Sequence, residues 1–342
     1  MDPATPPFEQ GPIRPPSEAR SLLVRVSRNC PWNRCAFCPV YKGQRFSPRT
    51  ADEVLADLDA MREVFGDQFR TAFLQDANPL LARTDDLVRI VGGLRERFPH
   101  VTRVTAYARA HTLARRPLAE LQRIRAAGLD RLHVGLESGC DEVLALVRKG
   151  VTRAQQIEGC LHAKEAGFEL SVYVMPGLGG RALSASHADD TASAVAAIRP
   201  DFVRLRTTAA PPGTPLAEMQ ARGEHVPLSE VEGVREIRRL LAGLAGVGAR
   251  LESDHVLNLL MELRGDLSTD RDRLVGLCDR LLDLPAPAQL RFVLARRLGW
   301  ISHLAQLDEP GVCEAVDQVI LDIQARGIDP EAVFAELRAG TL

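Results

Sequence analysis

Cys30, Cys35 and Cys38 are the residues of this sequence whose type and spacing carry the most chemistry. They read C-x4-C-x2-C within Arg28-Asn29-Cys30-Pro31-Trp32-Asn33-Arg34-Cys35-Ala36-Phe37-Cys38-Pro39-Val40-Tyr41, directly after an aliphatic run, with no fourth cysteine near. Three thiolates on one short loop can hold three irons of a cubane cluster and leave the fourth iron open to another ligand. The same thiolates can serve a structural zinc ion, which wants four N or S donors in closed tetrahedral geometry. His100, His111 or a more distant residue would have to complete that set, and neither histidine follows at finger or ribbon spacing. Spacing alone leaves iron–sulfur and zinc open.

The remaining four of seven cysteines, Cys140, Cys160, Cys278 and Cys313, are scattered. An odd number with three crowded together points to a metal or redox site in a reducing compartment. The first twenty residues have no signal-peptide core, and no later run reaches the length of a membrane span, so the chain reads as cytoplasmic. With 342 residues and 45% hydrophobic content it can bury a sizeable core as one large domain or two ordinary ones. A formal charge of −2 argues against membrane binding and makes nucleic acid an unlikely partner.

The elements that must position the cysteines follow a repeat. Strand candidates at 21–27, 70–75, 101–107, 131–137, 169–175 and 201–207 alternate with amphipathic helices. Thr50 with Glu53 forms a capping box before Val54, Leu55, Leu58, Met61 and Val64; Thr152 with Gln155 does the same before Ile157, Leu161 and a terminating Gly167. Pro117 suits a first helical turn, and Gly128 closes that helix. Alternation of this kind implies a parallel sheet, doubly wound or curved into a barrel, and six units are too few for a closed one. Residues 1–20 hold six prolines and read as a Pro-rich N-terminal strap or tail. After 228 the pattern turns mainly helical, with a possible strand at 249–253 ahead of Asp254 and His255, and three or four helices from 268, the last opened by Asp329 and Pro330.

On these residues the sequence resembles the radical S-adenosylmethionine (radical SAM) superfamily, closest to its coproporphyrinogen oxidase-like and methylthiotransferase-like branch. Relatives carry three cysteines after the first strand of a partial barrel, usually as C-x3-C-x2-C with an aromatic before the last. Phe37 holds that position, and this chain has one extra residue between Cys30 and Cys35. The resemblance covers about residues 21–215. It implies an α/β fold, a partial (β/α)6 TIM-like barrel over 21–228 with a mainly helical C-terminal region at 229–342. It also implies a [4Fe–4S] cluster on Cys30, Cys35 and Cys38 and S-adenosyl-L-methionine (SAM) on the open iron. Reductive cleavage of SAM would give a 5′-deoxyadenosyl radical that abstracts hydrogen from a substrate the sequence does not identify.

The resemblance also carries site residues over. Gln75, Asp76 and Asn78 stand where relatives bind the methionine amino group, although the usual glycines are absent. Glu137 matches the ribose contact, and Lys149, with Arg148 as alternative, the cation for the methionine carboxylate. Tyr107 and Arg109 end strand three, Tyr173, Met175 and Gly177 lie in the adenine-lining segment, and Arg206 follows strand six. Six basic residues and no acidic one between Ser21 and Arg49 would suit the cluster and a reduced flavodoxin or ferredoxin as electron donor. Alternatives are a methyl or methylthio transferase of the same superfamily and a non-catalytic cluster- or zinc-binding protein. Cys140 reads mainly as a small buried hydrophobe, and His255 as a structural histidine, with substrate binding or proton transfer at the mouth as the alternative.

Overall fold

The computed structural model describes residues 7–339. Six strands follow the alternation of the sequence: β1 (Leu22–Arg25), β2 (Thr71–Gln75), β3 (Arg103–Ala108), β4 (Arg131–Glu137), β5 (Glu169–Val174) and β6 (Phe202–Leu205). Two more, β7 (Arg250–Glu252) and β8 (Gly265–Asp266), complete an eight-stranded sheet in which chain order is spatial order. Pairing is parallel from β1 to β4 and again from β6 to β7, and antiparallel at β7–β8. Strand order without reversal, with helices between strands, is the topology of a TIM-like partial barrel. The six βα units are therefore extended by a seventh parallel strand, because Phe202, Val203 and Arg204 find backbone partners in Arg250, Leu251 and Glu252.

The chain divides into two compact units, residues 1–136 with 149–173, and residues 137–148 with 174–342. In the first, Thr50 caps the helix Ala51–Phe65 with the reciprocal Glu53 bond, and Val54, Leu58 and Met61 are fully buried. Val64, expected on the same stripe, is exposed. The helix Arg153–Glu165 has its capping box but leaves Leu161 exposed and buries Gln156, Gly159, Cys160 and Ala163 instead. Its partner, the helix Ala110–Arg115, approaches so closely that a Cβ on Gly159 would stand 2.1 Å from the Ala110 carbonyl oxygen. Small residues face that contact because large ones would not fit. Pro117 is the cap of the helix Leu118–Ala126 and not its first turn.

Residues 7–20 form a strap along the first unit. Phe8 is buried with its ring 5.4 Å from that of Phe65. Gly11 N–H donates to Gln75 Oε1 (2.9 Å), and Gln75 Nε2 donates to Ile13 O (2.7 Å). Glu18 is wholly buried, accepting from Ser21 Oγ at 2.6 Å with His133 Nε2 at 3.2 Å. Pro3 and Pro6 lie outside the described residues.

In the second unit four helices follow β8: Leu267–Leu282, Ala286–Arg297, Pro310–Ala325 and Pro330–Ala339. Glu230, nearly inaccessible, joins two of them by accepting from Arg297 Nη2 (2.6 Å) and Arg338 Nη1 (2.9 Å). Among the described residues no helix is long and apolar enough to cross a membrane.

Candidate cofactor site

The cysteine loop leaves the carboxyl end of β1, and a two-residue ribbon, Ser27–Arg28 against Ser47–Pro48, closes its base. Asn29 (φ 68°) and Asn33 (φ 48°) take the left-handed turns that Asn tolerates better than most side chains. Their amides clamp the return limb: Asn29 Nδ2 donates to Arg45 O (2.7 Å), and Asn33 Nδ2 to the carbonyls of Tyr41 and Gln44. Lys42 Nζ donates to Asn33 O and Cys35 O, both at 3.0 Å. Cys30, Cys35 and Cys38 are half-buried and outside any disulfide, and Asn33 N–H points at Cys30 Sγ from 3.4 Å. Phe37 is buried beside them in sequence.

Trp32 docks this loop onto the segment after β4. A Cβ on Gly150, at φ +71°, would stand 2.1 Å from the indole ring. The guanidinium groups of Arg34 and Arg109 each lie 5.2 Å from the ring centroid. Arg109 also donates to Lys149 O at 3.2 Å. Burial holds the Arg109 guanidinium below its ordinary range, opposed by the nearby sulfurs of Cys30 and Cys35. Gly150→Ala combines a left-handed alanine with an overpacked indole, so it should cost roughly 2–5 kcal/mol. Urea denaturation of the variant measures this, and reconstituted iron should fall with it; unchanged values of both would refute the docking role.

At the end of β2, Asp76 is wholly buried and already charge-paired. Arg25 Nη2 reaches Asp76 Oδ2 at 2.8 Å, Asn29 N–H donates to the same oxygen (3.2 Å), and Tyr41 Oη–H donates to Oδ1 (3.1 Å). Burial, with the Asp76 charge second, pushes the Tyr41 phenol far up, so it stays a donor. Gln75 is spent on the strap. Asn78 is the member of the trio beside Arg109: its Oδ1 accepts from Arg109 N–H (3.4 Å) and its Nδ2 donates to Thr112 Oγ1 (2.8 Å). Tyr107 and Tyr173 belong to a ring ladder with Phe73 and His133, centroids 4.8–6.2 Å apart.

The basic stretch is less of a field than its sequence suggests. Arg25 pairs with Asp76, Arg28 with Glu9 and Glu53, and Arg49 with Asp57 at 2.6 Å. Each acid comes from outside the stretch.

In the second unit Glu137 ends β4 in the left-handed region (φ 63°), and its carbonyl accepts from Met175 N–H (2.9 Å). Ser138 Oγ is 2.8 Å from His187 Nδ1, and His187 Nε2 is 3.0 Å from Met175 O. Gly177, at φ +83°, donates its N–H to Glu236 Oε1 (2.6 Å), whose other oxygen accepts from Ser184 (2.5 Å). A cavity of about 200 Å3 opens beside this turn, lined among others by Pro176, Gly177, Thr207, Thr208, Val234 and Ile237. Cys140 is buried, a small core residue. His187, Glu236 and Trp32 are supports that the sequence did not single out; their partners are far away in the chain, and no local pattern marks them.

Burial pushes Glu236 up to about 7 and His187 down to about 4, and their pH linkages oppose. A raised acid gives stability that is full below its unfolded value of 4.5 and is lost as pH rises toward 7. A depressed imidazole gives stability above 6.5 that is lost as pH falls toward 4. Glu236→Gln leaves the second alone, so its urea midpoint should climb across that window by the equivalent of roughly 2–3 kcal/mol relative to the wild-type profile. Parallel profiles would refute the assignment.

The donor set fits a cluster: three cysteines on one loop outside any disulfide, no acid within it, an N–H aimed at one sulfur, and two cations close by. Among the described residues no three His, Cys, Asp or Glu side chains close around a single metal ion. A cubane does not ask for that, because each thiolate takes a different iron. Of the two histidines, His100 sits at the amino-terminal edge of β3, opposite the loop, near Asp67 (3.3 Å), whereas His111 follows the carboxyl end of β3.

A mainly parallel α/β sheet with strands in chain order and a three-cysteine loop at the carboxyl end of its first strand defines the class. The family model described as Radical SAM superfamily matches residues 24–185 of the chain. The tRNA uridine(34) acetyltransferase of Methanocaldococcus infernus is 29% identical over 122 residues, covering 34% of this chain and 22% of that protein. The chain thus spans about a fifth of that relative's length. Coproporphyrinogen III oxidase (HemN) from Escherichia coli, a radical SAM enzyme, superposes with a TM-score of 0.50 at 20% identity, over 66% of this chain and 52% of that one. The cobalamin-dependent S-adenosylmethionine radical enzyme OxsB gives 0.51 at 15% identity, over 94% and 58%. At these identities the likeness is one of fold.

Proposed function

We propose that this chain is a radical SAM enzyme in which Cys30, Cys35 and Cys38 hold a [4Fe–4S] cluster and SAM takes the open iron. The observation that carries the reading is the loop: three cysteines outside any disulfide, presented at the carboxyl end of β1 within the segment that the Radical SAM family model matches. When bound and reduced, the cluster supplies the electron that splits SAM into methionine and a 5′-deoxyadenosyl radical able to take hydrogen from a substrate.

The chain's own residues bind and orient. Asn78 offers an amide to the methionine amino group, with Gln75 and Asp76 shaping the turn from behind. Lys149 and Arg109 face the carboxylate, Glu137 the ribose, and Met175 and Gly177 the adenine, where a glycine lets backbone approach a flat ring. Phe37, Tyr107 and Tyr173 exclude water. A reduced flavodoxin or ferredoxin is the proposed donor, met by Arg34, Lys42 and Arg45, basic residues that no acidic side chain within the stretch offsets. Residues 229–342 are proposed to supply substrate selectivity, and the cytoplasm is the proposed location.

The test is anaerobic reconstitution, reduction with dithionite in the presence of SAM, and chromatography for 5′-deoxyadenosine. Cluster-dependent product is expected. Iron binding with intact SAM under reducing conditions, or zinc in place of iron, would refute the reading.

A further inference from the structure

The parallel pairing of β6 and β7 sets Arg204 level with Glu252. Side chains alternate along a strand, so Arg206 and Asp254 share those faces two residues nearer the carboxyl ends, where barrels of this kind place their chemistry. Arg204 reaches forward: its Nη1 donates to Asp254 Oδ2 at 2.5 Å, both side chains being largely buried. The carboxylate that this level of the sheet offers is thereby taken from behind. Arg206 is left with a buried Nε, and Asp254 with a buried Oδ1, that have no hydrogen-bond partner among the described residues.

The corner is rigidly built. Asn258 bonds the backbone on both sides of Arg206, donating from Nδ2 to Leu205 O (2.8 Å) and accepting at Oδ1 from Thr207 N–H (2.8 Å) and Thr207 Oγ1 (3.0 Å). Its own N–H donates to His255 O at 2.9 Å, tying the turn after β7 to the exit of β6. Leu257 N–H donates to His255 Nδ1 at 3.2 Å, which fixes the ring proton on Nε2. Burial, and then the Arg206 charge, press the imidazole down to about 4, so it is a neutral donor near pH 7.

We propose that Arg206 and the Nε2–H of His255 form a binding site for an oxyanion, a carboxylate or phosphate group carried by the substrate. A planar guanidinium and a neutral N–H donor, on turns that Asn258 ties together, suit such a group, and the acid closest in sequence, Asp254, is already paired with Arg204. Only the word substrate rests on the radical SAM reading; the oxyanion site stands on its own geometry.

The test is a titration of the full chain with sodium phosphate and, separately, with succinate, each against sodium chloride at equal ionic strength, followed by thermal melting. A saturable rise beyond that in chloride is expected with at least one anion, and the stronger of the two identifies the group. Arg206→Ala should weaken binding at least tenfold, Arg206→Lys less, and His255→Ala several-fold, with melting in chloride showing that each variant folds. Should Arg206→Ala not fold, His255→Ala carries the test. A wild-type rise no larger than that in chloride, or an unaltered rise in the folded variants, would overturn the proposal. So would loss of SAM binding in Arg206→Ala, which would give the arginine to the cofactor. Absence of 5′-deoxyadenosine with oxyanion binding intact would count against the radical SAM reading alone.

Discussion

Cys35→Ala should leave the reconstituted protein without its full iron and bring 5′-deoxyadenosine to background. Cys35 is the central sulfur of the loop, and Lys42 holds its carbonyl in place. Loss of a group that merely supports a metal ligand costs roughly 10–100-fold in affinity or activity, so loss of a ligand itself should exceed that. Cys160→Ala is the matched control. That thiol is wholly inaccessible, and burial pushes it up to about 12, so it is a small core residue with no thiolate to offer. It should keep iron and product while losing about 1 kcal/mol of stability. Iron is measured by chelation assay and product by chromatography. A Cys35→Ala protein with full cluster content and cleavage would end the assignment.

Asp76→Asn should be the most destabilising single change near the loop. The carboxylate is fully buried, receives Arg25 at 2.8 Å, and accepts from Asn29 N–H and Tyr41 Oη–H on the two limbs of the cysteine loop. Removing one partner of a buried ion pair typically costs roughly 3–5 kcal/mol, because the other charge stays buried. Arg25 would keep Glu9 at 3.6 Å and the Asn29 side-chain oxygen at 3.5 Å, both longer than the bond to Asp76. Stability and cluster loading can be told apart with a double variant. Arg25→Met with Asp76→Met removes both charges and should recover much of the stability, as apolar replacements of buried pairs do. It cannot restore the acceptors for Asn29 and Tyr41, so iron content should stay low. Urea denaturation alongside iron analysis reads both; an Asp76→Asn protein within about 1 kcal/mol of wild type would refute the account.

These two changes also show where the sequence was legible. The cysteines announce themselves because ligand spacing on one loop is a local property. The strap and Asp76 do not: Gln75 and Asp76 look like free polar groups at a strand end until Gly11, Ile13 and Arg25 are seen to consume them. The basic stretch misled for the same reason, since the acids that neutralise it, Glu9, Glu53, Asp57 and Asp76, lie outside it in sequence.

The sequence by itself determined the βα alternation, the capping boxes at Thr50 and Thr152, and the placement of three thiols after the first strand. Each is set by interactions within a few residues, and local periodicity reports them directly. Only the tertiary structure decided that β7 joins the sheet, that Trp32 rests on Gly150, and that Arg204 rather than Arg206 holds Asp254. A two-residue period tells which face a side chain takes, but its partner across that face depends on the register between strands and on contacts distant in the chain.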